Sequence, residues 1–284
     1  KQRVEKLINL YLEKNDFKEK LERQTFTLRN QYKLLQQQAD QLKKNNEKMI
    51  DVLGTVVEYR NMEERSHLTL IKGFTEILAK YMMEDYPEYE LTEEKIKVIA
   101  SASVLHDVGK VMIPVEIITK PSRLSPTEYA LIQTHTIHGH NLLKNIDIDE
   151  RIKLGALQHH ERCDGKGYPN KLRYNDIDQF ARIVAIADVY DAMTSNRVYR
   201  KGICPFEVIS IFEENIDAYD PKVLFVFLEK IAQSYVNTEV VLNGDMEGKI
   251  VMINKYALGR PGVLVGGAYV DLSRQENLEI TALM

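Results

Sequence analysis

Cysteine is scarce in this sequence: only Cys163 and Cys204 occur among 284 residues. They form no C-x-x-C pair and no disulfide framework, so neither a thiolate zinc site nor a cross-linked scaffold is expected, and both read as reduced bystanders. Long apolar runs are missing as well. No stretch approaches the ~18 residues of a membrane span and no basic-then-apolar leader opens the sequence, which points to a cytoplasmic protein with no membrane partner. A strong charge excess is also absent. A formal net charge of −4 and a pI near 6.0 exclude a broad nucleic-acid or anionic-lipid surface and leave room for a local basic pocket, so an anionic partner should be small. With 44% hydrophobic and 28% charged residues, the chain can bury a real core. It begins at Lys1 in an already helical pattern and reads as a fragment of a longer protein.

Glycine and proline are both absent from residues 1–53. Apolar residues recur there at seven-residue steps, Leu21, Leu28, Leu35, Leu42, Met49 and Val56, as the d positions of a coiled coil. The a positions, Thr25, Tyr32, Ala39, Asn46 and Leu53, are weaker, and Asn46 is of the type that favours a parallel two-stranded register. A signalling helix over 1–56 that pairs in a parallel homodimer is expected; a long helix packed on its own domain is the competing reading. At ~1.5 Å per residue it would reach ~80 Å.

From about residue 57 to 235 the period stays helical. Predicted segments are His67–Met83, Thr92–Leu105, Pro126–Lys144, Asp149–His160, Phe180–Ser195, Pro205–Ile216 and Pro221–Tyr235, with start signals at Ser125-Pro126, Asp149 and Asp220-Pro221. Beyond Val236 the sequence turns β-branched and glycine-bounded. Glu239–Leu242, Lys249–Ile253 and Gly262–Leu272 read as strands, the last a hairpin about Gly266-Gly267. The fold class is therefore mainly α: a long coiled-coil helix over 1–56, a helical domain over 57–235 and a small β extension over 236–284.

All seven histidines lie between His67 and His160. Imidazole and carboxylate without thiolate suit a catalytic iron, manganese or zinc site. Glu63 and His67, four apart, share a face if one helix runs through them. His106-Asp107 ends an apolar helix, where the pair is either a structural hydrogen bond or a metal site. Among His135, His138 and His140, spacing does not choose. Asp188 sits within the apolar run Ile183–Val189, where an unpaired carboxylate is costly unless a cation or donors meet it. Asp191, one turn on, either shares that face or bonds to backbone. His159 and His160 are adjacent, which on a rigid helix points them ~100° apart.

Four stretches together, H-D-V-G-K at 106–110, His135, H-H-E-R-C-D-G-K-G-Y-P at 159–169 and A-D-V-Y-D-A-M-T-S-N-R-V-Y-R at 187–200, resemble the HD-GYP domain, a subgroup of the HD phosphohydrolases. The resemblance spans roughly Val57 to Tyr235. It implies an all-α HD helical bundle and hydrolysis of cyclic di-GMP to pGpG, with GMP as a further product where Glu63 recruits a third ion. It also implies two or three divalent metals, iron or manganese, held by Glu63, His67, His106, Asp107, His135, His159, His160 and Asp188. Asp107 would bridge. His106 and Asp188 would serve one ion, His135 with the 159/160 pair another, and Glu63 with His67 a third. Two ions ~3.5–4 Å apart would hold a hydroxide nucleophile and neutralise the phosphoryl oxygens. Lys110 would hold a phosphate oxygen beside Asp107, and Arg197, Arg200 and Lys201 would extend the contact to substrate. Asp164, Gly165, Gly167, Tyr168 and Pro169 would shape the rim. The stretch 59–74 resembles the start of such domains in response regulators, implying an upstream receiver domain, and the D-G-K-G-Y-P loop at 164–169 implies, by the same resemblance, diguanylate-cyclase partners. The sequence departs from the family pattern at 170–174 and at Val198, which bears on loop shape and substrate contact. A non-hydrolytic nucleotide sensor and a phosphodiesterase for another cyclic dinucleotide are the alternatives.

Overall fold

The computed structural model describes residues 2–61, 67–196 and 201–284. With no helix breaker before Gly54, helix α1 runs unbroken over Gln2–Asn61. Leu21, Leu28, Leu35, Leu42, Met49 and Val56 are each more than half exposed, so one chain leaves the heptad seam in water. The chain divides into two compact units, Lys1–Met49 and Ile50–Met284.

In the second unit the capping residues do what their chemistry dictates. Helix α2 spans His67–Asp85 and α3 spans Glu93–Leu105, the latter capped by Thr92. A 3₁₀ turn over Val108–Met112 and the short α4, Val115–Ile118, lead to α5, Pro126–Gln133, which opens on a reciprocal capping box between Ser125 and Glu128. Helix α6 is His135–Leu143 and α7 is Glu150–Gln158, capped by Asp149. Helix α8, Gln179–Thr194, is buried on nearly all sides through Phe180, Ile183, Val184, Ile186, Ala187 and Tyr190, so it forms the centre of the bundle. Helices α9, Pro205–Glu214, and α10, Pro221–Ser234, follow, with Asp220 capping α10.

One predicted segment divides. Pro126–Lys144 is two helices, because the Thr134 N–H turns back to the Leu131 carbonyl at 3.1 Å, a 3₁₀ closure that stops α5 and lets α6 start at His135.

The sheet is antiparallel throughout, in the order β4-β3-β2-β1-β5, with β1 Glu239–Leu242, β2 Met246–Met252, β3 Gly262–Val265, β4 Ala268–Asp271 and β5 Ile280–Leu283. Gly266 and Gly267 both take positive φ in the two-residue loop, as a hairpin of this length requires. Val240, Leu242, Ile250 and Val263 belong to the same buried cluster as the helices. Glu213 of α9 accepts the Leu258 N–H at 2.8 Å, so the sheet is tied to the bundle by a hydrogen bond as well.

Candidate metal centre

Three histidines stand where helices end or meet, and the ends hold them. A carbonyl in the last turn of a helix has a lone pair to offer a side-chain donor. His106, the C-cap of α3, donates Nδ1–H to the Ser103 carbonyl at 2.6 Å; His135, at the α5–α6 junction, donates to Ile132 at 2.7 Å; His159, the C-cap of α7, donates to Gly155 at 3.0 Å. Each bond makes Nδ1 a donor and turns Nε2 inward.

Two clusters result, in each of which the ligand atoms lie within 4.8 Å of one another: Asp107, His135, His159 and His160 in one, His67, His106 and Asp188 in the other. Asp107 faces both. Its Oδ1 lies 3.2 Å from His135 Nε2 and 3.8 Å from His159 Nε2, while its Oδ2 lies 3.2 Å from His106 Nε2 and 2.5 Å from Lys110 Nζ. Asp188 comes from the buried middle of α8, with Oδ1 3.6 Å from His106 Nε2 and Oδ2 4.0 Å from His160 Nδ1. His67 opens α2 and bonds through Nδ1 to Asp191 Oδ2.

The donors fit a cation. His135 Nε2 and His159 Nε2 face each other at 3.2 Å, and with both Nδ1 atoms donating to carbonyls these are opposed lone pairs. His106 Nε2 and Asp107 Oδ1 are buried with no hydrogen-bond partner. An uncompensated buried acceptor is costly, and a bound cation would remove that cost at the two facing imidazole nitrogens and at Asp107 Oδ1.

Charge balance agrees. Burial disfavours an ionised Asp107, yet Lys110 and His106 outweigh it and hold this carboxyl well below its usual range. Burial likewise opposes a charged His106, but the Asp107 and Asp188 carboxylates hold its pKa well above the ordinary imidazole value. Desolvation among the other imidazoles does the reverse to His159, held well below, and to His160, pushed down to about 4. Both stay neutral, as ligands must, at physiological pH.

Beside His160 opens a cavity of about 910 Å³, with Tyr129, Arg162, Lys166 and Tyr168 among its lining residues. The rim loop is pinned from within. Glu161, buried, accepts the Asn170 N–H at 2.6 Å and the Leu172 N–H at 2.9 Å. Asp164 caps Lys166 N–H at 3.0 Å, Gly165 takes φ +81°, and Gly167 passes so close to the Glu161–Arg162 backbone that a side chain there would collide with it. Tyr168 lies against His160 with ring centroids 4.7 Å apart, and the Tyr168–Pro169 peptide is cis.

Seven of the eight candidate ligands are thus brought together: His67, His106, Asp107, His135, His159, His160 and Asp188. Glu63, Arg197 and Arg200 lie outside the described residues. Lys201 is exposed in the segment before α9 and does not line the cavity. His138 and His140 join neither cluster, and Cys163 is half-buried with its thiol pushed up to about 11 by desolvation. Sequence reasoning missed Glu161 as the loop's anchor and left Asp191 undecided. A glutamate after two histidines carries no local signal of backbone partners nine and eleven residues on.

A family model described as the HD domain matches residues 29–223, more than half of the chain. A 3′3′-cGAMP-specific phosphodiesterase 2 of Vibrio cholerae is 35% identical over 194 residues, covering 66% of this chain and 35% of that protein. A cyclic di-GMP phosphodiesterase of Thermotoga maritima is 34% identical over 186 residues, covering 64% of this chain and 48% of that protein. A probable cyclic di-GMP phosphodiesterase of Vibrio cholerae is 30% identical over 220 residues, covering 71% of this chain and 49% of its own length. The chain spans about a third to a half of the length of these relatives. With its His106-Asp107 dipeptide at the junction of the two clusters, the chain belongs to the HD domain family.

Proposed function

We propose that this chain is the catalytic part of a cytoplasmic, metal-dependent phosphodiesterase that opens cyclic di-GMP to linear pGpG, with residues 57–235 carrying the reaction. The supporting observation is the pair of opposed lone pairs, His135 and His159, beside the partnerless Asp107 Oδ1. Imidazole and carboxylate donors without thiolate favour iron or manganese, one ion at each cluster. Ions bound there would acidify water and neutralise phosphoryl charge. The chain's own residues do the rest. Asp107 reaches both clusters with its two oxygens, so it fixes their spacing. Lys110, 2.5 Å from Asp107 Oδ2, stands ready to meet a non-bridging phosphate oxygen as a point charge. Burial of His106, His135 and His159 keeps bulk water from competing for their nitrogens. Glu63 would recruit a third ion, extending hydrolysis from pGpG to GMP.

The 910 Å³ cavity is large enough for a cyclic dinucleotide and opens beside the ligand His160. Arg162 lies over the Tyr219 ring at 5.2 Å, a stacked guanidinium suited to a phosphate or a guanine edge. Arg197, Arg200 and Lys201 would add positive charge, and Asp164 through Pro169 form the wall. A second substrate, the hybrid cyclic GMP-AMP, is favoured by the relative named for 3′3′-cGAMP. Chromatography of products from protein reloaded with Fe²⁺ or Mn²⁺ decides. pGpG is expected from cyclic di-GMP; tight nucleotide binding with no linear product at any metal loading would overturn the enzyme in favour of a sensor. A fully active Asp107→Ala protein would overturn the assigned centre.

The heptad seam supports a parallel homodimer through residues 1–56, with control from an upstream receiver domain and contact with diguanylate cyclases through the G-Y-P loop. Light scattering should show the dimer fall to monomer when residues 1–49 are removed; an unchanged dimer would place the interface elsewhere.

A further inference from the structure

The reaction outlined above makes no use of a buried carboxylate on the last turns of α1. Glu58 is only 5% exposed, and its Oε1 accepts the backbone N–H of Leu68 at 2.5 Å. Leu68 is the second residue of α2, and the first is the candidate ligand His67. First-turn N–H groups lack intrahelical acceptors and favour negative charge, yet the first turn of α2 holds no acidic residue of its own. Glu58 supplies that charge from a different helix.

The contact borders the metal centre itself. A void of about 10 Å³, the size of one water, is enclosed by residues that include Glu58, His67, His106 and Asp107. α1 approaches this closely because residue 54 is glycine: a Cβ there would lie 2.5 Å from Val104 Cγ1 and 2.9 Å from Leu68 Cδ1. The ring of His67 is therefore held by Asp191 of α8, and the N–H of Leu68, in the peptide that follows His67, by Glu58 of α1.

We propose that Glu58 is a positioning residue for His67, so that the docking of the last turns of α1 sets metal occupancy at the His67–His106–Asp188 cluster. The proposal rests on reading that cluster as a metal site. Since Gln2–Asn61 is one helix, a rotation of its final turns would be felt at His67 before any substrate contact changed.

The test uses the whole chain, stripped and reloaded with Co²⁺, with metal content read by mass spectrometry and ligation by visible absorption. Wild-type protein should take up at least two ions, one at each cluster. Glu58→Ala should keep one tight ion and bind the second at least about tenfold more weakly, with a changed cobalt spectrum. Glu58→Gln, which retains an acceptor oxygen, should stay within about threefold of wild type on the same scale. Gly54→Ala pushes α1 back without touching the carboxylate, and it should weaken the second ion too; this variant decides the matter if Glu58→Ala does not fold. Unchanged second-ion affinity in folded Glu58→Ala or Gly54→Ala overturns the proposal, as does a folded Glu58→Gln that loses the second ion as fully as alanine. Wild-type protein that binds fewer than two ions overturns the underlying two-cluster reading instead, and does so before any variant is made.

Discussion

Gly109 carries the sharpest packing test of how the centre is built. A Cβ placed on it would stand 1.9 Å from the His135 carbonyl oxygen, 2.4 Å from Gly139 N and 2.9 Å from Gly139 Cα, all backbone atoms of α6. None can swing aside as a side chain would. Ordinary contact begins near 3.4 Å, so Gly109→Ala must push the 108–112 turn and α6 apart by more than 1 Å. Overpacking of this kind costs ~1–3 kcal/mol, and a backbone-on-backbone collision belongs at the upper end, about 3 kcal/mol. For a unit of this size each kcal/mol moves the melting temperature by ~2–4 °C, which gives a fall of ~6–12 °C. α6 begins with His135, so the same displacement moves a candidate ligand, and a misplacement of ~1 Å should cost about 100-fold in turnover of the proposed reaction. Calorimetry with and without metal, beside a turnover assay, measures both. Gly73→Ala is the matched control: it lies inside α2 with nothing within 4 Å of its added Cβ, and should gain up to ~1 kcal/mol from helix propensity. A Gly109→Ala protein that melts with wild type and turns over normally would refute the close-packed junction.

Three further outcomes are expected. Asp191→Asn should lower metal affinity at the His67 cluster by ~10–100-fold, read by competition with a chelating dye, because the orienting carboxylate on His67 Nδ1 is gone. Glu161→Ala removes the charged acceptor of two part-buried N–H groups, a loss of ~1.5–3 kcal/mol for each bond; limited trypsin digestion should then cut at Lys166, Lys171 or Arg173, while wild type resists. Stripping the metal should lower the melting temperature, since an ion present at 1,000 times its Kd adds about 4 kcal/mol to the native state; unchanged melting would mean the clusters hold no ion.

Local chemistry made much of this legible. Ser125-Pro126, Asp149 and Asp220 start helices because their side chains satisfy first-turn N–H groups, which is a short-range matter. Gly266-Gly267 turns the β3–β4 hairpin for an equally local reason. The break at Thr134 was hidden, because the apolar period runs through it. Gly109 packing against both His135 and Gly139 accompanies the break, and no reading of 126–144 alone could contain that contact. Strand β5 was also invisible: its partner β1 lies about forty residues away, and four residues of I-T-A-L carry no register of their own. Choosing His135 over His138 and His140 from spacing required knowing where α5 stops, since the junction brings the Ile132 carbonyl within reach of the His135 ring.

The adjacent histidines sharpen the point. Continued as a helix, 159 and 160 would diverge by ~100° and one would be wasted. Instead α7 stops at Gln158. His159 remains within reach of the Gly155 carbonyl, which aims its Nε2 at Asp107 and His135. His160, one step past the helix, offers its own carbonyl to the Tyr168 N–H at 3.1 Å and lays its ring on Tyr168, turning Nδ1 toward Asp188. The helix end therefore positions one candidate ligand and the G-Y-P loop positions the other. It follows that the loop supports the candidate metal centre as well as forming the rim proposed for substrate. Tyr168→Ala should accordingly loosen the ion served by His160 in the absence of any nucleotide, and an unchanged metal affinity would reduce the loop to its rim role alone.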